Sequence, residues 1–508
     1  MQLLLPLIFF ISRLVLLNRN NVFFDSKEYL TRLADNNFLH ALTTGHPPLH
    51  SGFILTFWPF YKLWELFGIN PAAMTLVVQI ILAWLTIRYF YKLVELLINK
   101  EVAWRSAVLL SVVPIFWIIN EAIMMETTYL FYWITSLYFL CKYLKDKRSN
   151  KVYLLASSAL WVMAFLTHTV VIMWIPLFVF VAFTTNKDRT IKLLPWAIGV
   201  LATASAINAY LLSKTYSTNF LGGLYWLYAA KFGEHAAFQP TVETLLRYGR
   251  NWLLPIGYNN TWVLSILAIL GLIKLFRKEK RMFWMAVLWI APTFITNQWW
   301  DSLMYGRHGL IATFALVFLV TNLINKVSFK ILVGIMLIIS LASLSLMIKP
   351  TPYLEMARAA NRLQEGGLFI DSHFARPQTD GEYFGRMVFV DEPGWIADKL
   401  PDLIDEYLKF NKPVYVTGQA LSEPYGLFSG PFLHPLSLSY KNGLILSYLR
   451  DKYRFSEVES IDDIYNLNVF QISKGTGGFP EINNLSESRR RIDWLDPFRI
   501  MSVDLLRH

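Results

Sequence analysis

About eleven apolar runs of bilayer-spanning length dominate this 508-residue chain. A helix needs roughly 20 apolar residues to cross the ~30 Å hydrocarbon layer of a bilayer. The runs lie near 1–18, 72–97, 103–119, 128–143, 152–167, 169–185, 192–212, 253–274, 282–298, 309–325 and 329–348. Charged residues make up only 16% of the chain, whereas soluble domains carry about a quarter. The chain is therefore predicted to be a polytopic α-helical membrane protein.

The lysine and arginine residues predict how these spans are oriented. They gather in alternate connections, whereas the short connections around 120–127, 167–169 and 296–306 contain neither residue. The clusters are Lys100 and Arg105; Lys142, Lys145, Lys147, Arg148 and Lys151; Lys187, Arg189 and Lys192; Lys274, Arg277, Lys278, Lys280 and Arg281; and Lys326 and Lys330. The positive-inside rule places these clusters and the N-terminus in the cytoplasm, and an odd number of spans places everything after Ile348 outside.

Three further features bear on class and topology. The net charge of +11 is spread over these connections, so it indicates topology and gives no support to a nucleic-acid partner. The first run lacks a small-residue cleavage site and is predicted to be a retained span. Residues 49–68 are also apolar, but counting them as a span would invert every later connection, and Pro59, Lys62 and Glu65 favour an interfacial helix on the outer face.

Beyond Lys349 the apolar runs shorten to strand length. Strands are predicted at Leu368–Ile370, Met387–Val390, Val414–Thr417 and Val469–Ile472, and they alternate with helical patterns near 354–363, 395–409 and 444–453. This alternation is typical of a small α/β domain, here on the extracytoplasmic side. The chain is therefore divided into a transmembrane domain (1–350), a soluble domain (351–473) and an extended tail (474–508).

The first outer segment, FFDSKEYLTRLADNNFLHALTTGHPPLHSGF, contains the first candidate site. Asp25 follows the first span closely, and Glu28 lies about one helical turn further on. Pro47 and Pro48, which follow His46, stop the helix. A carboxylate held at the outer surface of the bilayer against apolar side chains can act as a general base. Solvated loop charges are an equally good interpretation of these acids taken alone.

Two other outer segments contain candidates. Glu121 and Glu126 lie in a short connection without other charges, and a carboxylate near hydrocarbon is costly unless it is paired or functional. Arg307 and His308 open the tenth span, where an arginine fork suits a phosphate, although a snorkelling arginine would look the same. His168, in LTHTV, is predicted to be a packing residue.

Taken together, DSKEY, then GHPPLH, then ten further predicted spans and an outer C-terminal domain resemble membrane glycosyltransferases of the GT-C fold. The resemblance is closest to the protein O-mannosyltransferase and lipid A aminoarabinose transferase group, and it covers roughly residues 1–350. It implies that Asp25 is the first acid, that His46, Pro47, Pro48 and Leu49 form the following motif, and that Glu126 is the second acid, with Glu121 as its competitor. It also implies that Arg307 and His308 meet a lipid phosphate, with His46 beside the donor.

The resemblance further implies a reaction and its partners. A polyprenyl-phosphate-linked sugar would be the donor, and a lipid, glycan or protein hydroxyl the acceptor, with inversion at the anomeric carbon. Asp25 would be the general base, and Glu28 a second acid, since the motif is Asp-Ser-Lys-Glu where the family has adjacent acids. No cofactor is implied with certainty, and a divalent metal stays open. The expected location is a prokaryotic cytoplasmic membrane, with the active site outside.

Other functions remain open at this point. A transporter or flippase would place carboxylates near the membrane midplane and show two related halves, and neither feature is visible. A scaffold protein would not need these acidic and basic groups on one side. A lipid-linked glycan ligase or polymerase is the nearest enzymatic alternative.

Overall fold

The computed structural model describes residues 4–15, 24–45, 49–146, 150–230, 260–299, 309–347, 352–371, 379–390, 396–421, 449–461 and 468–480. The chain forms two compact units, of which the first contains residues 25–344 with the N-terminal helix and the second begins at Ser345. The first unit is helical and the second combines helices with a five-stranded sheet.

Helices cover the described parts of the predicted apolar runs, and further helices lie between these runs. The helices of the first unit are α1 (Leu4–Val15), α2 (Phe24–Ala34), α3 (Phe38–Thr43), α4 (Ser51–Leu66), α5 (Pro71–Leu97), α6 (Lys100–Val112), α7 (Pro114–Asn120), α8 (Met125–Lys145), α9 (Lys151–Thr167), α10 (Ile175–Thr185), α11 (Lys187–Thr215), α12 (Phe220–Tyr225), α13 (Trp262–Lys278), α14 (Lys280–Trp299), α15 (Leu310–Leu323) and α16 (Lys326–Met347). A 3₁₀ helix over Thr169–Trp174 precedes α10, and a π-helical turn over Trp226–Ala230 follows α12. The part of the predicted run 253–274 before Asn260 lies outside the described residues.

The length and hydropathy of the helices support a membrane protein. The number of about eleven spans stays a prediction. Among the described residues, α5 and α11 are each long and apolar enough to cross a bilayer, and α6 with α7 would be a third span. The predicted single span over 103–119 is bent by 63° between these two helices. Pro114 has no N–H for the Leu110 carbonyl, so the helix breaks there.

Basic side chains meet carbonyl groups at one end of this bundle. Arg105 donates to the Ile324 carbonyl at 2.9 Å, and Lys274 donates to the Asn322 carbonyl at 2.9 Å. Lys145 donates to the Leu96 carbonyl, and Arg189 to the Tyr143 carbonyl at 3.1 Å. The four donors come from four different lysine and arginine clusters predicted from the sequence, so we call this the basic end.

The short helix α4 lies along the segment that contains α2 and α3. Its N-cap residue His50 packs its ring against Tyr29. Near its other end, Lys62 donates to the Ala34 carbonyl at 2.6 Å, and Trp58 donates to the Asp35 carbonyl at 2.9 Å. Both ends of α4 therefore contact the same segment, as expected of a helix that runs beside it rather than away from it.

The second unit is built on a mixed sheet. Its strands are β1 (Leu368–Asp371), β2 (Arg386–Phe389), β3 (Val414–Thr417), β4 (Tyr453–Glu459) and β5 (Val469–Lys474), in the order β2-β1-β3-β5-β4. The helices are α17 (Pro352–Ala360), α18 (Ile396–Lys409) and α19 (Gly418–Leu421). β1 pairs in parallel with β2 and β3, whereas β5 is antiparallel to β3 and β4. The hydrophobic core of this unit includes the buried strand residues Ile370, Val416 and Ile472.

Half of the helical pattern predicted near 444–453 lies outside the described residues, and its last residue is not helical. Tyr453 begins strand β4, in which Tyr453 and Phe455 are buried while Arg454 and Ser456 are exposed. This alternation is that of a strand with one buried face. The start of the predicted tail also pairs with this strand, since the Phe455 N–H donates to the Gly477 carbonyl at 2.9 Å. Residues 481–508 lie outside the described part of the chain.

Candidate active site

Helix α2 contains the first acidic segment and contacts the second one. Asp25 lies in its first turn, one turn before Glu28. The hydroxyl of Ser26 donates to the Ile123 carbonyl at 2.7 Å. Ile123 belongs to the connection between Glu121 and Glu126, 97 residues further along the chain. The two acidic segments singled out in the sequence therefore meet at the end of the bundle opposite the basic end.

Both described ends of the GHPPLH motif also contact α2. On one side, Gly45 (φ +112) lies against Glu28 and Arg32, so that a Cβ there would come within 2.9 Å of Arg32 Nη1. On the other side, the ring of His50 meets Tyr29 edge-on, with the ring centroids 5.8 Å apart. His46, Pro47 and Pro48 lie outside the described residues. The motif is thus held at each end by the helix that contains Asp25.

An ion pair between Glu28 and Arg32 organises this face of α2. The carboxylate and the guanidinium lie 3.5 Å apart, and Arg32 Nε donates to the Ala41 carbonyl at 2.9 Å. Arg32 is buried and Glu28 is about one-quarter exposed. Burial lowers the pKa of Arg32, and the Glu28 charge opposes that shift. Glu28 therefore has a clear structural partner, which favours a positioning role over a catalytic one.

Arg32 is not among the candidate residues predicted from the sequence. The signal was available, because Glu28 and Arg32 are spaced i, i+4 on a predicted helix, with the acid first. The next carboxylate along the chain, Asp35, accepts a hydrogen bond from His40 and another from the Asn37 N–H at 2.8 Å. These bonds, the first above all, hold the pKa of Asp35 below its usual value. The Asp35 carboxylate therefore stabilises the turn between α2 and α3.

Glu121 is buried in a cluster with an arginine from the first span. Its carboxylate accepts a hydrogen bond from Trp117 Nε1 at 2.7 Å. The guanidinium of Arg13 stacks over the Trp117 ring at 3.8 Å and interacts electrostatically with Glu121. Arg13 also donates to the Ser111 carbonyl, which the bend at Pro114 leaves without its helical partner. Glu121 is therefore compensated by neighbouring residues, as expected of a structural group.

Glu126 lies in the first turn of α8 and is fully buried. A carboxylate at this position is favoured by the helix dipole. The connection before it is held by Gln79 of α5, whose amide donates to the Met124 carbonyl at 3.0 Å and also to the Ala122 carbonyl. Thr127 donates to the Asn120 side chain at 3.0 Å. These bonds fix the backbone that positions Glu126 near α2.

His50 and His168 lie beside this site with defined ring orientations. His50 Nδ1 lies 2.8 Å from the Thr167 carbonyl, which can only accept, so this nitrogen carries the proton. His168 Nδ1 accepts from the Val170 N–H at 3.1 Å and caps the 3₁₀ helix. The two ring centroids are 5.5 Å apart, and Tyr129 packs on His168. The predicted packing role of His168 agrees with these contacts.

The predicted phosphate-binding pair lies outside the described residues. Arg307 and His308 immediately precede Gly309, after which α15 begins at Leu310. The last turn of α15 is at the basic end, because Arg105 bonds to Ile324, so its first turn faces the acidic end. Within the described residues, no group of three or more potential metal-ligating side chains is found.

The chain is similar to known proteins in sequence over one segment and in fold over most of its length. The family model of dolichyl-phosphate-mannose-protein mannosyltransferases matches residues 46–212, about one third of the chain. This segment contains Glu121, Glu126 and the HPPL motif. No curated protein sequence matches the chain significantly.

Two solved structures are similar over most of the chain. ArnT from Cupriavidus metallidurans bound to undecaprenyl phosphate has a TM-score of 0.56 and 11% identity, over 92% of this chain and 97% of its own. The archaeal oligosaccharyltransferase AglB from Archaeoglobus fulgidus, in complex with an inhibitory peptide and a dolichol-phosphate, has a TM-score of 0.46 and 12% identity, over 89% of this chain and 71% of its own. The likeness to ArnT shows a GT-C fold, and the predicted resemblance to GT-C membrane glycosyltransferases is confirmed.

Proposed function

We propose that this membrane protein transfers a sugar from a polyprenyl-phosphate donor to an acceptor hydroxyl at the outer surface of the bilayer. The observation that supports this most is the hydrogen bond from Ser26 to Ile123, which joins the segments of Asp25 and Glu126. The matched mannosyltransferase family and the ArnT structure with undecaprenyl phosphate support a lipid-linked donor. The acceptor is a lipid, glycan or protein hydroxyl.

The chemical step divides the work between acidic and basic groups. The acceptor oxygen forms the new bond to the anomeric carbon as the bond from that carbon to the phosphate oxygen breaks. Asp25 takes the hydroxyl proton, and the lipid phosphate leaves as an anion. Because this leaving group is stable when ionised, it needs charged donors rather than an acid, and Arg307, His308 and His46 are assigned to it. Attack in line with the leaving group inverts the anomeric carbon.

The contacts of Glu28, Glu121 and Glu126 distinguish the roles of these three acids. Glu28 pairs with Arg32, and Glu121 is shared by Trp117 and Arg13, so both are assigned to positioning. Glu126 is buried at the start of α8, beside the segment that contacts α2. It is assigned to orienting the acceptor or Asp25.

A transporter is the rival that one observation favours, since the bent pair α6–α7 resembles a broken span. In transporters the freed backbone groups at such a break line a cavity that binds substrate or ions. Here the Ser111 carbonyl accepts from Arg13, and the Val112 carbonyl accepts from Ser340 at 2.7 Å. Protein groups satisfy the break, which favours glycosyl transfer.

The test uses purified full-length protein and a labelled polyprenyl-phosphate sugar, with binding and turnover measured separately. Asp25→Asn keeps the size and polarity but cannot accept the proton, so turnover should fall by about 10²–10⁴-fold while donor binding persists. Glu28→Gln and Glu126→Gln should reduce turnover less. Asp35→Asn is the matched control, because Asp35 is a carboxylate of the same segment that bonds only within its own turn, and it should leave turnover unchanged. Near-normal turnover in Asp25→Asn would remove Asp25 from the mechanism.

A further inference from the structure

A cavity of about 290 Å³ lies between α8, α9, α10 and α11. It is near the basic end, because its lining includes Leu140 close to the end of α8, Leu154 in the first turn of α9 and Thr190 in the first turn of α11. Trp196 and Ile198 also line it and are exposed on the outside of the bundle. The cavity therefore opens sideways, away from the acidic site.

The packing of α11 explains why the cavity exists. Within residues 187–203 only Thr190 is buried, whereas Ala204, Asn208 and Leu212 in the second half are buried. The first half contains Pro195, which interrupts the helical hydrogen bonds. Two of the facing lining residues, Ser157 and Ala182, are small. The first half of α11 thus leaves a gap over α9 and α10 that side chains do not fill.

The lining of the cavity suits a hydrocarbon chain. Its few polar groups are already bonded within the protein. Ser136 donates to the Ser157 carbonyl at 2.8 Å, and Ser157 donates to the Ser136 carbonyl at 2.9 Å. Ser158 accepts from Trp196 Nε1 at 2.8 Å. A sugar or a hydrated ion would find almost no hydrogen-bonding partner here, whereas an acyl chain loses nothing by entering.

Two exposed lysines begin helices that line the cavity, at the basic end. Lys151 begins α9, three residues before Leu154 and seven before Ser158. Lys187 begins α11, three residues before Thr190 and seven before Leu194. Spacings of three and seven place each lysine on the helix face that lines the cavity. Asp188 is also exposed but is turned roughly 100° around α11 from Lys187, and Lys214 is exposed in the last turn of α11, at the opposite end of the helix from Lys187.

We propose that this cavity binds one acyl chain of an anionic phospholipid, whose headgroup lies between Lys151 and Lys187. The apolar lining selects the chain, and the two lysines select the negative headgroup. Basic sites of this kind at the membrane surface attract anionic lipids, with roughly a five-fold gain in affinity for each lysine. The inference does not depend on the proposed glycosyl transfer.

The experiment measures retained lipid on the purified full-length protein by native mass spectrometry. The protein is first exchanged into an equimolar mixture of phosphatidylglycerol and phosphatidylcholine. We expect one phosphatidylglycerol per chain, about 25-fold in excess over phosphatidylcholine. Lys151→Gln with Lys187→Gln should reduce this preference about 25-fold. Lys214→Gln is the matched control at the opposite end of the same helix and should retain wild-type preference.

A second pair of variants tests the chain-binding part. Ala197→Trp, in the exposed wall of the cavity, should displace the bound lipid, whereas Ala202→Trp, exposed on the same helix but outside the lining, should not. If Ala197→Trp does not fold, the lysine variants decide alone. Equal retention of both lipids by the wild type would overturn the proposal. Displacement of phosphatidylglycerol by equimolar undecaprenyl phosphate would also overturn it, because the cavity would then be a site for a polyprenyl chain.

Discussion

Gly45 lies directly against the carboxylate of Glu28, with its backbone in the left-handed region at φ +112. A Cβ at this position would meet Glu28 Oε1 and approach Arg32 Nη1 to 2.9 Å. The first residue of the GHPPLH motif is therefore fitted to an ion pair on the helix that contains Asp25. This contact gives a physical reason for a glycine before the histidine and the two prolines.

Gly45→Ala should therefore disturb the site more than an ordinary glycine substitution. The left-handed backbone alone costs about 1–2 kcal/mol with a Cβ, and the new methyl group must also displace the Glu28–Arg32 pair. Gly68→Ala is the matched control, since Gly68 has φ +66 but nothing within 4 Å of a Cβ. We expect a loss of thermal stability in both variants, larger in Gly45→Ala, and at least a ten-fold loss of turnover in Gly45→Ala alone. Equal turnover in the two variants would contradict the contact.

Arg307 is predicted to bind the phosphate of the donor, and it lies outside the described residues. Arg307→Lys keeps the charge but loses the planar fork, so binding of a polyprenyl phosphate should weaken by several-fold. Arg307→Ala should weaken it further. Affinity is measured by titrating undecaprenyl phosphate into the purified protein. Arg277→Ala, in a cluster at the basic end, is the matched control. Unchanged affinity in Arg307→Ala would leave snorkelling to lipid headgroups as the role of this arginine.

Orientation in the membrane is testable with single cysteines. Cys141 is buried, so Cys141→Ser supplies a background. Cysteines are placed at Ser149, in a lysine and arginine cluster, and at Ser372, in the C-terminal domain. On intact cells an impermeant maleimide should label only the Ser372 position, because positive clusters stay in the cytoplasm. Labelling at Ser149 instead would invert the topology and place the acidic site inside.

Hydropathy predicted the long helices well, because whether a helix can be buried in lipid or in the bundle core depends on the apolar residues of its own segment. The run predicted at 72–97 is α5 (Pro71–Leu97), and the strand predicted at Val414–Thr417 has those bounds. Strand β4 was missed, because its buried Tyr453 and Phe455 alternate with Arg454 and Ser456 and do not form an apolar run. The bend before Pro114 had a visible cause in the sequence, although the run is continuously apolar.

The candidate site was predictable only in its parts. Glu121 and Glu126 were found because their connection carries no other charge, and Asp25 and Glu28 because they follow the first span closely. Their grouping depends on contacts such as Ser26 with Ile123, which join distant parts of the chain and leave no periodic signal. The same reason hid Arg13, whose stacking on Trp117 separates the role of Glu121 from that of Glu126.

The coupling of Arg13 with Glu121 leads to the last prediction. Removing one member of a buried charge pair leaves the other uncompensated and costs about 3–5 kcal/mol, whereas removing both is far milder. Arg13→Met and Glu121→Gln should each lower the thermal unfolding midpoint in detergent, and the double variant should recover much of the loss. Arg105→Met with Glu101→Gln is the matched cycle, because that pair is partly exposed, with Glu101 58% accessible, and should show a coupling of at most about 1 kcal/mol. Additive losses in the Arg13 and Glu121 cycle would mean that Trp117 alone compensates Glu121. In that case the acid would regain its place beside Glu126 as a candidate for the mechanism.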